Sequence, residues 1–216
     1  ESIENSFNDI GRENSIIIVR SNKRANQYNQ QIRKTILSHD HKVCSGDLLM
    51  ITKNNYFWTS SDSEIPFLAN GDIIEILEIH RIRELYGFEF AEVKIKMVDY
   101  NNQPPFDTII ILNTLDSDLP SLSFEQSNLL YHEIQKDYLN IKSKYKRFLK
   151  TKENPFFNAL HVKFSYAITC HKAQGGQWPV VFIEKPFLKD GPDIDYMRWL
   201  YTAVTRAESK LFLIGF

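Results

Sequence analysis

Three short stretches of this chain combine residue types able to hold phosphate. The first is Thr169-Cys170-His171-Lys172-Ala173-Gln174-Gly175-Gly176-Gln177. It offers a hydroxyl, an imidazole, an ammonium and the amides of an expected helix start, all donors for phosphate oxygens, and its glycines let the backbone approach a ligand closely. The second is residues 198–207, where helical spacing gathers Trp199, Leu200, Ala203 and Val204 on one face and Arg198, Thr202 and Thr205 on the other. Arg206 lies at the border, so its planar guanidinium is expected to lean out of a buried helix toward a phosphoryl group on a neighbouring surface. In the third, Arg20 follows an apolar run and precedes a helix that Ser21 or Asn22 can cap. In open α/β sheets ligands gather beyond the carboxyl ends of the strands, which is where Arg20 would stand. Each stretch alone also has an ordinary account: a turn capped by Thr169 with a surface histidine, a salt-bridged arginine, and a helix cap with stray basic residues.

The elements that must position these residues alternate. Ser15–Val19 (S-I-I-I-V) is the β-branched run of a strand buried on both faces, and Ala25, Tyr28, Ile32 and Ile36 recur at helical spacing after it. From residue 43 the pattern changes to β-rich runs at 47–53, 72–80, 90–99 and 107–112, separated by Asn54-Asn55, Asn70-Gly71 and Asn101-Asn102. These predict a small β-barrel inserted into an α/β unit, which tolerates an insert whose ends lie close together. Residues 121–152 predict a long helix or helical pair, whose second half carries lysines and Arg147 against one acid, Asp137. The α/β pattern then resumes with a strand at 162–168, a turn and helix around 171–175, a strand at 180–183, a helix at 196–207 and a strand at 211–214. The expected division is 1–42 with 155–216 as one α/β domain, 43–114 as the barrel, and 115–154 as a basic helical segment.

Composition narrows the classes. With 216 residues, 43% of them hydrophobic, the chain can bury a sizeable core. A formal net charge of -1 excludes a bulk polycation, so nucleic-acid contact must rest on a local patch. Cys44 and Cys170 form no C-x-x-C pair, which points away from zinc or a disulfide framework, and no metal site is expected. No apolar run approaches the roughly 20 residues of a membrane span, and residues 1–14 lack the regions of a signal peptide. A reduced, cytoplasmic protein without membrane contact, beginning mid-protein, is the expectation.

The stretch from Tyr166 to Trp178 resembles motif V of superfamily 1 helicases, with its T-x-H-K-x-Q-G core. Leu200-Tyr201-Thr202-Ala203-Val204-Thr205-Arg206-Ala207 is similar to motif VI, L-Y-x-A-x-T-R-A, and Arg20 stands where motif IV places its arginine. The order of motifs, and the Gly46-Asp47, Thr52, Asn54-Asn55 and Asn70-Gly71-Asp72 pattern between them, resemble the RecD-like branch, the exodeoxyribonuclease V α-subunit type. The resemblance implies a RecA-like motor domain of P-loop NTPase type, called 2A, with an inserted Src-homology-3-like barrel, 2B, beside the path of single-stranded DNA. It also implies Arg206 and Arg20 as catalytic arginines, Gly175, Gly176 and Gln177 near the nucleotide, and Thr169, His171, Lys172, Asn54 and Asn70 toward DNA. Gln177 departs from the acidic residue many relatives carry, although an amide still hydrogen-bonds a hydroxyl.

The sequence contains no Gly-Lys pair and no Asp-Glu pair, hence neither a P-loop nor the metal-and-water site of a motor ATPase. The resemblance therefore implies that ATP and Mg are held mainly by an N-terminal motor domain, a partner of this one, and that this chain alone is inactive as an ATPase. Repair or recombination subunits are further implied partners. Two other classes stay open: a non-catalytic single-strand-binding module using Tyr56, Phe57 and Trp58, and a protein-interaction scaffold.

Overall fold

The computed structural model describes residues 2–59, 65–100, 102–189 and 191–216. They form two compact units, residues 1–40 with 164–216 and residues 41–163. Asn101 of the third expected turn lies outside the described residues, as does Glu1.

The first unit is an α/β sheet. α1 (Ser2–Ile10) leads through a 3-10 turn into β1 (Ser15–Val19), every residue of which is buried. α2 (Asn22–Thr35) follows, its N-cap Ser21 accepting from the Arg24 amide at 3.2 Å. β7 (Ala167–Thr169), β8 (Trp178–Glu184), α5 (Ile194–Val204) and β9 (Ala207–Ile214) complete the unit. The strands run parallel in the order β7-β1-β8-β9, with Val19 aligned to Thr169 and Ile18 to Ile183. β-Branched side chains covered on both faces are what a parallel sheet demands. α2 packs on β7 and β1, and α5 on β8 and β9.

The second unit is a closed barrel in the order β2-β3-β4-β5-β6. β2 (Leu48–Ile51), β3 (Ile73–Leu85), β4 (Phe88–Met97) and β5 (Phe106–Ile111) pair antiparallel. Tyr86 and Gly87 join β3 to β4 with φ of 57° and 76°, the two left-handed residues that a tight hairpin turn needs. α3 (Phe124–Lys136) and α4 (Lys144–Lys152) pack beside the barrel as a helical pair. Leu122, Leu130 and Ile134 join Phe88, Phe90, Ile109 and Ile111 in one core.

Four expectations need correction. The run at 162–168 is two strands: β6 (Leu160–Phe164) belongs to the barrel, parallel to β5, and only β7 belongs to the sheet. The carbonyl of His161 closes the barrel by accepting from the Thr52 amide at 2.9 Å and the Thr52 hydroxyl at 3.1 Å. The division expected at residue 155 accordingly falls at 163/164, and the helical pair of 115–154 clusters with the barrel. Every residue from Leu160 to Thr169 is buried, so hydropathy could not mark the bend at Ser165-Tyr166.

No helix follows Thr169: residues 170–175 are successive turns, closed by Lys172 and Ala173 amides on the Thr169 carbonyl and ended by Gly175 at φ +88°. The polar start forms the amphipathic helix α1, which buries Phe7 against Tyr166 with ring centroids 6.2 Å apart. Among the described residues no helix is long and apolar enough to cross a membrane.

Candidate phosphate and nucleic-acid site

The site lies in the sheet unit at the carboxyl ends of β1 and β7. Because Val19 and Thr169 are in register and the Cys170 amide donates to the Val19 carbonyl at 3.2 Å, Arg20 and Cys170 leave the sheet side by side. Arg20, Cys170, His171 and Gln174 line an open cleft of about 380 Å³, and α5 contributes Arg198 and Thr202. Arg20, His171 and Gln174 are exposed. Their nitrogen donors suit phosphate oxygens.

Arg206 follows the C-cap Thr205 of α5. Its Nε donates to the Thr202 carbonyl, Nη1 to the Gly176 carbonyl and Nη2 to the Thr205 hydroxyl, each at 3.1 Å. The Trp178 amide returns a bond to the Arg206 carbonyl at 2.9 Å. Arg206 thus joins the end of α5 to the 170–177 loop, and among the described residues no carboxylate pairs with it. Burial pushes the Cys170 thiol up, and the nearby Arg206 charge opposes that shift. Cys170 shares its cleft with Arg20, whereas Arg206 stands at the other end of the 170–177 loop, just before β9, from where its charge still acts on the thiol.

The remaining expected residues fall into two groups. Thr169 is only 8% exposed, and its carbonyl accepts the loop's first two turns, so it ends the strand. Lys172 is half-buried, and burial pulls its ammonium below the usual range. Gly175 faces open space, whereas a Cβ on Gly176 would stand 2.5 Å from the Trp178 ring, so the second glycine is a packing requirement. Gln177 is exposed. Asn54 and Asn70 belong to the barrel unit, where the Asn54 side-chain oxygen accepts from the Asn70 amide at 2.7 Å and ties two loops together.

Sequence reasoning passed over Trp199 and Arg24. Trp199 lines the cleft, and its buried indole Nε1 has no partner among the described residues. Arg24, to which the sequence assigned no role, grips Glu184 at the end of β8, with Nε 2.7 Å from Oε1. That contact raises its pKa, the side-chain hydrogen bond to Glu184 leading. Tyr28 joins the same carboxylate at 3.1 Å. Spacing within one helix could not have shown a partner 160 residues away.

No curated protein sequence matches the chain. Among solved structures, the Pif1 helicase from Candida albicans is similar at 11% identity and a TM-score of 0.48, covering 94% of this chain and 45% of that one. The Pif1 helicase from Bacteroides, in complex with ADP-AlF3 and ssDNA, is similar at 10% identity and a TM-score of 0.50, covering 100% of this chain and 44% of that one. This chain therefore spans less than half the length of either structure. The fold is shared with the second of these, and residues 164–214, which carry the loop, α5 and Arg206, match the UvrD-like helicase C-terminal domain family.

Proposed function

We propose that this chain is the second motor domain of a superfamily 1 DNA helicase of the RecD-like kind. The sheet unit would be the RecA-like domain 2A, and the inserted barrel the Src-homology-3-like 2B. The observation that carries the reading is that one loop, residues 170–177, joins the two arginines: it leaves the sheet beside Arg20 at the carboxyl end of β1, and its Gly176 carbonyl accepts from Arg206, which stands just before β9 with no carboxylate partner among the described residues. Guanidinium groups so placed can neutralise charge on a phosphoryl group presented by a second domain. The hydrogen bond from Arg206 to the Gly176 carbonyl would then link the state of the nucleotide to the loop holding His171 and Lys172, which we assign to the DNA backbone. The Pif1 structure from Bacteroides, solved with ADP-AlF3 and ssDNA, supports both ligand classes. ATP and Mg would be held mainly by an N-terminal motor domain, with Gly175, Gly176 and Gln177 near the nucleotide. Repair or recombination is the setting that the RecD-like reading implies.

The test is Arg206→Ala in the intact protein. Single-stranded DNA binding should persist while the ATPase rate falls about 10³-fold or more, the scale of a lost arginine finger. Undiminished turnover would remove Arg206 from the nucleotide site.

A further inference from the structure

A second cavity, of about 330 Å³, lies wholly within the barrel unit and is open on one side. Its apolar floor is made by Leu130 and Phe157, and its rim carries Lys53, Tyr56 and Phe57. Tyr56 is 68% exposed, yet it is not loose: its ring stacks on Phe67 with centroids 4.9 Å apart and planes inclined by 26°. Phe57 meets Trp58 edge to face at 5.0 Å, and Trp58 is pinned by its indole N–H on the Asn158 carbonyl at 2.7 Å. The rim therefore presents aromatic faces that are already ordered, which lowers the entropy cost of stacking a ligand on them.

His161 lines the same cavity and is only 8% exposed. Its Nδ1 accepts from the Leu122 amide at 3.4 Å, which fixes the neutral tautomer with the proton on Nε2. Burial, with a smaller effect of the Lys53 charge, holds the ring neutral by lowering its pKa to about 4. That leaves an N–H donor with no partner among the described residues. The carboxamides of the lining are committed elsewhere: Asn55 donates to the Asn158 carbonyl and accepts from the Phe57 amide, Asn54 accepts from the Asn70 amide, and Asn158 donates to the Lys152 and Asn154 carbonyls.

The geometry points to this cavity as a subsite for one unstacked base of single-stranded DNA, an assignment that rests on reading the chain as a DNA motor domain. Each part has a matching partner on a nucleotide. The flat apolar space and the Tyr56 face take the base ring, the His161 Nε2–H takes an in-plane nitrogen or carbonyl of its edge, and Lys53 takes the adjoining phosphate. The cavity stands at the small end of ligand sites, of order 300 Å³, and its open side lets the base stay joined to its strand.

The test is titration of the chain with a short oligothymidylate carrying one aminopurine, beside an abasic strand of equal length and charge. The base-bearing strand should bind roughly tenfold more tightly, with aminopurine quenched on binding. Tyr56→Ala should erase the preference and the quenching while leaving abasic affinity and the salt slope unchanged, and Tyr56→Phe should keep both. Because Tyr56 is mostly exposed, neither change opens the core. Equal affinity of the normal chain for the two strands, or a base preference that survives Tyr56→Ala, would overturn the subsite and leave the motor-domain reading standing. Absence of any salt-dependent binding to either strand would overturn both.

Discussion

In the barrel unit the carboxamide of Asn158 donates to the Lys152 and Asn154 carbonyls, the main-chain carbonyl of Asn158 accepts from the Asn55 and Trp58 side chains, and the Thr114 hydroxyl bridges the Ile111 and Val162 carbonyls. At the strand ends of the sheet unit, Arg20, His171 and Gln174 instead point their donors outward into a cleft. Both regions are rich in turn-forming polar residues. The barrel's turns close a ladder, so their polar groups must replace lost backbone partners. The sheet unit's loop satisfies its own amides through the Thr169, His171 and Ala173 carbonyls, leaving side chains over. Side chains left over after the backbone is satisfied are those a ligand can use.

One residue breaks this contrast and gives the largest expected effect. Asn29 is buried in the sheet unit, donates to the Phe164 and Ala167 carbonyls at 3.2 and 2.9 Å, and accepts from the Ala167 amide at 2.7 Å. Asn29→Leu would strand these buried backbone groups, at about 1–3 kcal/mol for each left unpaired. A loss of about 4 kcal/mol in urea unfolding is expected. A loss under about 1 kcal/mol would show that water reaches the segment before β7.

His161 sharpens the comparison from the barrel side. Its folded pKa, about 4, lies below the ordinary 6.5, so between those values the unfolded chain carries a proton that the native chain does not. Stability is therefore full above about pH 6.5 and falls as the pH drops toward about 4, by on the order of 3 kcal/mol from this residue. Urea midpoints across that window should fall steeply for the normal chain and less steeply for His161→Gln. Parallel slopes would place the acid sensitivity elsewhere.

Much of this was legible because it was local. The run Ser15–Val19 and the cap at Ser21 each depend on neighbours within a few residues and are found as read, whereas α5 ends at Val204 and leaves Arg206, expected within the helix, beyond its cap. What stayed hidden depends on distant partners. β6 takes its place in the barrel through Thr52, and an unbroken buried run gave the bend after it no mark. The turns after Thr169 read as a helix because Thr-x-His-Lys-x-Gln is compatible with one, and only the left-handed Gly175 decides otherwise. The cleft residue Trp199 looked like helix core, because one-dimensional periodicity sorts apolar from polar and cannot see an unpaired indole N–H.

Asn54 carries the smallest effect and the finest distinction. An exposed asparagine beside a proposed DNA path reads equally well as a phosphate contact or as a turn residue, and the two roles differ in where its oxygen is engaged. Here that oxygen accepts from the Asn70 amide, so Asn54→Ala should cost about 1 kcal/mol in unfolding, the usual net value of one hydrogen bond. Oligonucleotide affinity and its salt slope should stay unchanged, since a neutral amide releases no counterions. Weakened DNA binding at unaltered stability would put Asn54 with the outward-facing donors of Arg20 and His171, and erase at this position the difference between the two units.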